Sequence, residues 1–344
     1  TGPMFHVHLL HVTDFEWVLL VVMHHMITDA YSGKILANEL SHFYSVFLHG
    51  SDSAVTKLPP APPELRIQYA DFAVWQRLTS NAKLTRQLQF WKQKLRDCPS
   101  EIKLPHDRPR PDVMSFKGAK EFMELSPVST GHLRAVATRE RVTMFVLHAA
   151  ACAILLHLFS RQDDILIGTA MSTRDIPELQ ALIGFFVTTP VLRIPIRPEM
   201  TLQQFVHEVR TLSLEAMENK DVAFERILEE INAPRHLNIH PVYQVEFTYL
   251  NLNEASDAEN AHASLPGLEV ERFNIDNMVS GFDLMFNLRE DRERVYGYLE
   301  YSTELFTQRT AKNFINTFMA ILNVIADAPD TRIEQVKHRL QTGH

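Results

Sequence analysis

Seven consecutive apolar residues, residues 17–23, lead directly into His24 and His25, and Asp29 follows four residues later. Such a run is typical of a central β-strand that is covered on both faces. Polar groups at the end of a buried strand are costly to bury unless they have partners. Because adjacent strand residues point to opposite faces, the two imidazoles cannot both ligate one metal ion. We expect one histidine to face a cavity and the other to pack behind it.

The composition is that of a globular protein with room for two packed units. The chain has 344 residues, of which 45% are hydrophobic and 22% are charged, so large cores can form. The formal net charge of −8 and the lack of a dense Lys/Arg block argue against a nucleic-acid-binding surface. The longest apolar stretch, residues 144–159, is interrupted by histidines and is short for a membrane span. We therefore expect neither nucleic acid nor a membrane as a partner.

Two cysteines and a pair of alternating histidines bear on redox state and metal binding. Cys98 and Cys152 are too few for a disulfide scaffold, and they predict reduced thiols in a cytoplasmic protein. His6 and His8 alternate along a predicted strand, but no thiolate or carboxylate cluster accompanies them in the sequence. We therefore expect no metal site, and no cofactor bound directly to this chain.

Hydrophobic periodicity predicts a chain of mixed α and β structure. Residues 5–11 alternate like a strand, and we predict that they pair with residues 17–23 through a turn at Thr13 and Asp14. Ser32 is a candidate cap for a helix that runs to about residue 47. Further helices are predicted over residues 69–91, 143–159, 201–220 and 310–328. Further strands are predicted over residues 165–170, 185–194, 242–250, 268–273, 282–288 and 295–301, and a polar loop over residues 254–264.

A proline-rich segment, residues 104–111, is predicted to link two lobes. It cannot be a helix interior or a central strand, because proline lacks the backbone donor. We therefore predict one lobe over residues 1–111 and a second lobe over residues 112–344. Because an alternating strand pattern is already under way at Phe5, the first lobe is expected to lack upstream sequence.

Several segments carry distinct patterns in a shared order: residues 24–30 read HHMITDA, residues 69–75 read YADFAVW, residues 104–111 read LPHDRPRP, residues 183–189 read IGFFVTT and residues 221–225 read DVAFE. Together they resemble HHxxxDG, YxDFAVW, the LPxDRPRP link, IGxFVNT and DxPFE of the condensation domains of nonribosomal peptide synthetases. The resemblance covers essentially the whole chain, although two upstream motifs of that family are absent. The departures are Ala30 for glycine, Thr188 for asparagine and Ala223 for proline.

The resemblance implies two chloramphenicol-acetyltransferase-like lobes in a V arrangement around a tunnel, with the first lobe N-terminally truncated. It also implies the partners. An upstream carrier domain presents an acyl or peptidyl thioester and a downstream carrier presents an aminoacyl amine, both on phosphopantetheine arms, and an adenylation domain is adjacent. Attack of the amine on the thioester makes an amide. The resemblance therefore predicts an acyltransferase of antibiotic or other secondary-metabolite biosynthesis.

Within HHMITDA the resemblance assigns the tunnel-facing catalytic role to His25 and leaves His24 as structural support. The residue chemistry agrees, because an imidazole can bind an amine and move a proton near neutral pH. For Asp29 the resemblance implies a structural ion pair with an arginine of the second lobe. Arg174 is the first candidate for that arginine, and Arg193 is the second.

Ala30 is the departure from the family pattern with the largest expected consequence. If the backbone at Ala30 needs a positive φ, alanine costs on the order of 1 kcal/mol and shifts the loop. If φ is negative, the change from glycine adds only a methyl group beside the tunnel. Thr188 and Ala223 are milder departures.

Two other functions stay open beside condensation, a docking domain and an epimerization domain, and two more are less favoured. A catalytically impaired docking domain is suggested by Ala30 and by the truncated start, and residues 1–344 alone are predicted to be inactive. An epimerization domain shares HHxxxDG, but the intact YADFAVW and DRPRP segments favour condensation. A stand-alone CoA-dependent acyltransferase with HxxxD leaves the other motifs unexplained. Heterocyclization is disfavoured, since those relatives replace the first histidine of the motif by aspartate.

Overall fold

The computed structural model describes residues 2–49, 61–78, 81–251, 265–271 and 278–342. The chain divides into two compact units. The smaller unit contains the described residues of Thr1–Asn81, Ser172–Val187 and Ala255–Asn274, and the larger unit contains those of Ala82–Met171, Thr188–Glu254 and Ile275–His344. The polar loop predicted over residues 254–264 lies outside the described residues, as do residues 272 and 273 of the strand predicted over 268–273. Residues 268–271 do not form a strand.

A β-hairpin begins the smaller unit. Strands β1 (Phe5–Thr13) and β2 (Glu16–Met23) pair antiparallel, as predicted from their alternation. The expectation that β2 is a central strand covered on both faces is wrong, because Trp17 is 55% and Val22 is 48% exposed. Among the described residues β2 has a strand neighbour on one side only, so its apolar run is far less buried than its composition indicates.

The smaller unit continues through short turns and helices. A 3₁₀ turn over His25–Ile27 follows β2, and helices α1 (Ala30–His49) and α2 (Tyr69–Leu78) come next. The helix predicted over residues 69–91 is in fact two, since α3 (Asn81–Lys94) is a separate helix of the larger unit. The segment Ser172–Val187 contains a second 3₁₀ turn, Pro177–Leu179. The short strands β5 (Met171–Ser172) and β6 (Val187–Thr188) pair at its two ends.

A mixed sheet forms the centre of the larger unit. Its strands lie in the order β3 (Gly118–Leu125), β10 (Val295–Ser302), β9 (Leu284–Glu290), β8 (Val245–Asn251), β4 (Asp164–Gly168) and β7 (Val191–Pro195). Strands β4, β8 and β9 run parallel, and the pairs at both edges are antiparallel. The remaining helices are α4 (Pro127–Glu140), α5 (Met144–Ser160), α6 (Leu202–Glu218), α7 (Phe224–Glu230), α8 (Gln308–Asp327) and α9 (Ile333–Thr342). The predicted mixed α/β class is confirmed.

Periodicity missed or merged some elements of this unit. Strand β3 and helices α4, α7 and α9 were not predicted. The strand predicted over residues 185–194 is two short strands, β6 and β7, with Pro190 between them. Proline has no backbone N–H to donate to a sheet ladder, which explains the break.

Helix α5 lies at the centre of the hydrophobic core, and the side chain of Thr143 caps its first turn. The helix is buried nearly all round and packs against α6 and α8, as its uniformly apolar sequence predicts.

Cys152 on this helix and Cys98 are both free thiols. No single helix among the described residues is long and apolar enough to cross a membrane; α4 and α5 pass that test only as a pair, and they are bent by 102° at their junction.

The proline-rich segment is attached to the larger unit along its length. Arg110 forms an ion pair with the buried carboxylate of Asp283, with one contact of 2.9 Å. Asp107 accepts a hydrogen bond of 2.7 Å from the backbone N–H of Thr307 at the start of α8. Arg108 donates to the backbone oxygen of Thr303. The lobe boundary at residue 111 stays a prediction, but residues 82–111 group with the larger unit.

His148 makes the folded protein sensitive to acid. Its ring is completely buried in α5 beside Tyr249, and Nδ1 lies 2.7 Å from the backbone oxygen of Met144. Burial lowers the pKa of His148 from its ordinary 6.5 to about 4, because the charged imidazolium is poorly solvated there. Between these two pH values the unfolded chain binds a proton at His148 that the folded chain does not bind.

We therefore expect the free energy of unfolding to fall as the pH drops from 6.5 to about 4. The total loss from this histidine is about 3 kcal/mol, at about 1.4 kcal/mol per pH unit. Above pH 6.5 His148 contributes no pH dependence. Urea unfolding of the wild type and His148→Leu across this range measures the effect, and the exposed His236→Leu is the control. Equal pH slopes for the wild type and His148→Leu would contradict the prediction.

Candidate functional site

His25 presents a free ring nitrogen at the start of the turn that follows β2. Its Nδ1 lies 2.8 Å from the backbone oxygen of Thr28. A carbonyl oxygen can only accept, so Nδ1 carries the proton and donates it. In the neutral imidazole the lone pair is then on Nε2, and no described residue forms a hydrogen bond with that atom. The side chain is exposed. The turn therefore selects the tautomer that can accept a proton from an external group.

His24 has the opposite tautomer and a different task. Its Nδ1 accepts a hydrogen bond of 3.1 Å from the backbone N–H of Met26 and so caps the 3₁₀ turn. The ring is exposed, and the expectation that His24 packs behind His25 is wrong. The physical reason is that β2 ends at Met23, so the period-two alternation of a strand no longer applies to the two histidines.

Asp29 is buried and surrounded by donors from distant segments. Its Oδ1 accepts from the backbone N–H of Ser32 at 2.7 Å, which makes Asp29 the cap of α1. Its Oδ2 accepts from the backbone N–H of Phe186 at 3.1 Å. The prediction that Ser32 caps this helix is wrong: α1 begins at Ala30, and Ser32 lies inside the first turn.

Arg174 forms an ion pair with Asp29 inside the smaller unit. Its Nη2 lies 3.1 Å and 3.2 Å from the two carboxylate oxygens, and both side chains are only 2% exposed. Its Nη1 donates to the backbone oxygens of Leu179 and Leu182 at 2.6 Å and 2.8 Å. The guanidinium carbon lies 4.1 Å from the centre of the Phe186 ring. The second candidate, Arg193, pairs instead with Asp164.

Ser32 links this ion pair to the backbone of Gly184. Its Oγ lies 2.7 Å from Asp29 Oδ1 and 3.0 Å from the backbone oxygen of Gly184. It also accepts from the backbone N–H of Gly184 at 3.1 Å and from Arg174 Nη2 at 3.0 Å. The Ser32 hydroxyl is fully buried, so every hydrogen-bonding position that it offers is used inside the protein.

Tyr69 holds the same segment from its other side. Its hydroxyl donates to the backbone oxygen of Phe185 at 3.0 Å. Burial and the nearby carboxylate of Asp29 raise the pKa of Tyr69, so the hydroxyl stays protonated and able to donate. Tyr69 also packs in a small aromatic cluster with Phe72 and Phe186. The backbone of residues 184–186 is thus bonded to Ser32, Tyr69 and Asp29 in succession.

The backbone conformations at Ala30 and Ala223 are both compatible with alanine. Ala30 is the first residue of α1 and does not have a positive φ. Backbone strain from a positive φ at Ala30 is therefore excluded. The change from glycine only adds a methyl group at a helical position. Ala223 precedes α7 with φ −60°, which is also the value to which proline is restricted.

Gly184 is required by the close approach of Tyr69. A Cβ atom at position 184 would lie 2.2 Å from Cδ2 of Tyr69. We expect Gly184→Ala to lower the free energy of unfolding by about 1–3 kcal/mol, because the ring or the backbone must shift. The matched control is Gly33→Ala in α1, where an added Cβ meets nothing within 4 Å. That variant should gain about 0.5–1 kcal/mol. Equal stabilities of the two variants in chemical unfolding would contradict this account.

Sequence reasoning identified Asp29 and Arg174 but missed Ser32, Gly184 and Phe185 as neighbours of the site. The IGFFVTT motif of residues 183–189 was recognised in the sequence. However, none of its own residues indicates that this segment lies against the HHMITDA turn.

No group of three or more metal-ligating side chains is found among the described residues. His6 and His8 stack with their ring centroids 6.2 Å apart.

Comparison with known proteins places the chain in one family. The model of the condensation domain matches residues 1–342. Malpinin synthetase of Mortierella alpina is 37% identical over 93% of this chain, which spans 4% of that protein. Beauvericin nonribosomal cyclodepsipeptide synthetase of Beauveria bassiana is 34% identical over 94% of this chain and is matched over 10% of its own length. The chain therefore spans only a small part of these two synthetases.

The fold agrees with this assignment. The crystal structure of the X-domain from teicoplanin biosynthesis superimposes with a TM-score of 0.84 and 28% identity, covering 96% of this chain and 74% of that one. Because the condensation-domain model matches almost the whole chain, the chain belongs to the condensation-domain family.

Proposed function

We propose that this chain is an amide-forming condensation unit of a nonribosomal peptide synthetase. The amine of an aminoacyl group on a downstream carrier attacks the thioester carbon of an acyl or peptidyl group on an upstream carrier. A C–N bond forms, the C–S bond breaks, and the thiol of the upstream phosphopantetheine arm leaves with a proton. The phosphopantetheine arms that hold the two substrates therefore belong to the carrier domains.

The observation that carries this proposal is the tautomer of His25. Donation from Nδ1 to Thr28 leaves the Nε2 lone pair available. That atom can accept a hydrogen bond from the incoming amine and take its proton as the C–N bond forms. The side chain is exposed, so a substrate on a flexible arm can reach it. His25 is the catalytic residue of this proposal.

His24 and Asp29 of the motif, together with Arg174, act as positioning residues. Asp29 and Arg174 lie too deep to touch a substrate, since their side chains are 2% exposed. They hold α1 and residues 184–186 beside the turn that carries His25. His24 caps the turn itself. Ala30 lies at the start of α1 with a negative φ, which weakens the case that the change from glycine impairs the site.

Carrier domains on both sides and an adjacent adenylation domain are the partners that this function requires. The function also implies a cytoplasmic enzyme of secondary-metabolite biosynthesis. The malpinin and beauvericin synthetases are much longer than this chain, so these partners would be parts of the same assembly line.

Amide formation in the native protein that contains this chain tests the proposal. An acyl donor is loaded on the upstream carrier and an aminoacyl group on the downstream carrier, and the product is released and identified by mass spectrometry. Condensation predicts an amide joined to the downstream carrier. An unchanged pair of loaded carriers would indicate a docking domain, and inversion of the α-carbon without amide formation would indicate epimerization. Either of these two results would overturn the proposal.

A further inference from the structure

Phe185 contacts the imidazole of His25 edge-on. The two ring centroids lie 5.3 Å apart, and the ring planes are inclined by 89°. This is a preferred geometry for aromatic pairs, because the positive edge of one ring meets the negative face of the other. The contact involves a catalytic side chain of the proposed function and a residue with no assigned role.

Phe185 and Phe186 are adjacent but serve different purposes. Phe186 is fully buried among Arg174, Tyr69 and Phe72. Phe185 is 38% exposed and lies outside the hydrophobic clusters. Since it adds little to the core, packing alone does not account for a large aromatic ring at this position.

The backbone around Phe185 is held in place on three sides. Gly184 is bonded through both its N–H and its carbonyl to Ser32. The carbonyl of Phe185 accepts from Tyr69, and the N–H of Phe186 donates to Asp29. The ring of Phe185 therefore cannot retreat by a shift of its own backbone. From this anchored backbone the ring reaches the imidazole of His25.

We propose that Phe185 is a positioning and specificity-determining residue, which orients the His25 imidazole and limits the side chain of the aminoacyl acceptor. The inference rests on the proposed function. An amine that donates to Nε2 of His25 is bonded directly to the α-carbon of the acceptor. The side chain on that carbon must then lie close to the imidazole, where the Phe185 ring occupies space. Removing the ring should admit larger acceptor side chains.

Acceptor preference tests the specificity part. Downstream carriers are loaded chemically with glycyl, alanyl, leucyl and phenylalanyl groups, so that no adenylation domain discriminates between them. We expect Phe185→Ala to raise kcat/KM for the leucyl and phenylalanyl acceptors, relative to glycyl, by about tenfold or more. The control is Phe15→Ala, which removes a phenylalanine ring that is 97% exposed in the same unit. Its acceptor preference should equal that of the wild type.

The ring resonances of His25 test the positioning part without any turnover. The Cε1–H signal of His25 in histidine-labelled protein is identified by its loss in His25→Ala. We expect this signal to move in Phe185→Leu, which keeps an apolar side chain, and to stay unchanged in Phe15→Leu. The Phe185→Leu variant also serves the kinetic test if Phe185→Ala fails to fold.

The outcomes separate this inference from the function on which it rests. An unchanged acceptor preference together with an unmoved His25 signal, in folded Phe185 variants, overturns the role of Phe185. Wild-type amide formation by His25→Ala overturns the proposed function instead. In that case a moved His25 signal would still support positioning of the imidazole, while the specificity claim would fall with the function.

Discussion

Arg174→Gln is expected to lower the free energy of unfolding of this protein by about 3–5 kcal/mol. The variant removes the charge that faces Asp29 while that carboxylate stays buried, with a side chain only 2% exposed. A buried charge without its partner is far more costly than the pair is stabilising. Loss of the guanidinium also removes the Nη1 donor that the backbone oxygens of Leu179 and Leu182 share.

The matched control is Arg197→Gln. Arg197 also pairs with a carboxylate, that of Glu208 at 3.0 Å, but its side chain is 53% exposed. The Glu208 side chain is 17% exposed, so its carboxylate keeps some contact with water when Arg197 is replaced, and the loss of this pair should cost only about 1 kcal/mol. Chemical unfolding followed by tryptophan fluorescence measures both variants. A loss in Arg174→Gln no larger than that in Arg197→Gln would contradict the prediction.

A double-mutant cycle extends the same argument to Asp29. Asp29→Asn alone leaves the Arg174 charge buried without its counter-charge, and it weakens the interactions with Ser32 and Phe186. Because each single variant leaves one uncompensated charge, Asp29→Asn/Arg174→Gln should cost clearly less than the sum of the two single variants. Low activity of an Asp29 variant would then reflect damage to the fold around the turn and would not identify Asp29 as a catalytic group.

His25→Ala is expected to reduce the rate of amide formation by about 100- to 10,000-fold, the range typical for loss of a general acid–base group. The rate is measured in single turnover with both carriers loaded, so that carrier reloading does not limit it. The control is His24→Ala, which removes the cap of the 3₁₀ turn but leaves the ring of His25. We expect a much smaller loss there. Equal rates for the wild type and His25→Ala would refute the catalytic role.

Two further substitutions distinguish proton transfer from simple positioning of the amine. His25→Asn can keep a donor near Thr28, in the place of Nδ1, but has no acceptor at the position of Nε2. His25→Gln can place an amide oxygen near the position of Nε2, and that oxygen accepts a hydrogen bond but not a proton at neutral pH. If His25 takes the proton, both variants are as slow as His25→Ala. Partial rescue by glutamine alone would indicate that His25 only positions the amine.

Local pattern and chemistry were enough for several parts of this molecule. The β1–β2 hairpin, the buried helix α5 and the mixed α/β class follow from periodicity, because a two-residue or 3.6-residue repeat is a property of neighbouring residues. The pairing of Asp29 with Arg174 was expected from resemblance to a family, and the two residues are in contact. No local pattern could have paired them, since 145 positions separate them in the chain.

Local pattern failed where distant segments decide the environment. Residues 17–23 have the composition of a buried strand, yet burial depends on what covers the strand, and the described part of the sheet has two strands. Ser32 is a plausible helix cap by its residue type, but Asp29 precedes it and already supplies the oxygen. The short strands β5 and β6 are a similar case, because weak local preferences yield to tertiary contacts.

The sequence by itself determined the family, the mixed fold class and the motif that contains His24, His25 and Asp29. Only the tertiary structure decided what each of these residues does. Hydrogen bonds of the turn select opposite tautomers for the two adjacent histidines, and burial makes Asp29 an anchor for residues 184–186. The same anchoring sets Phe185 against the imidazole. The reason is physical: tautomer, burial and ring contact are set by atoms that lie close in space, and most of these lie far apart in the sequence.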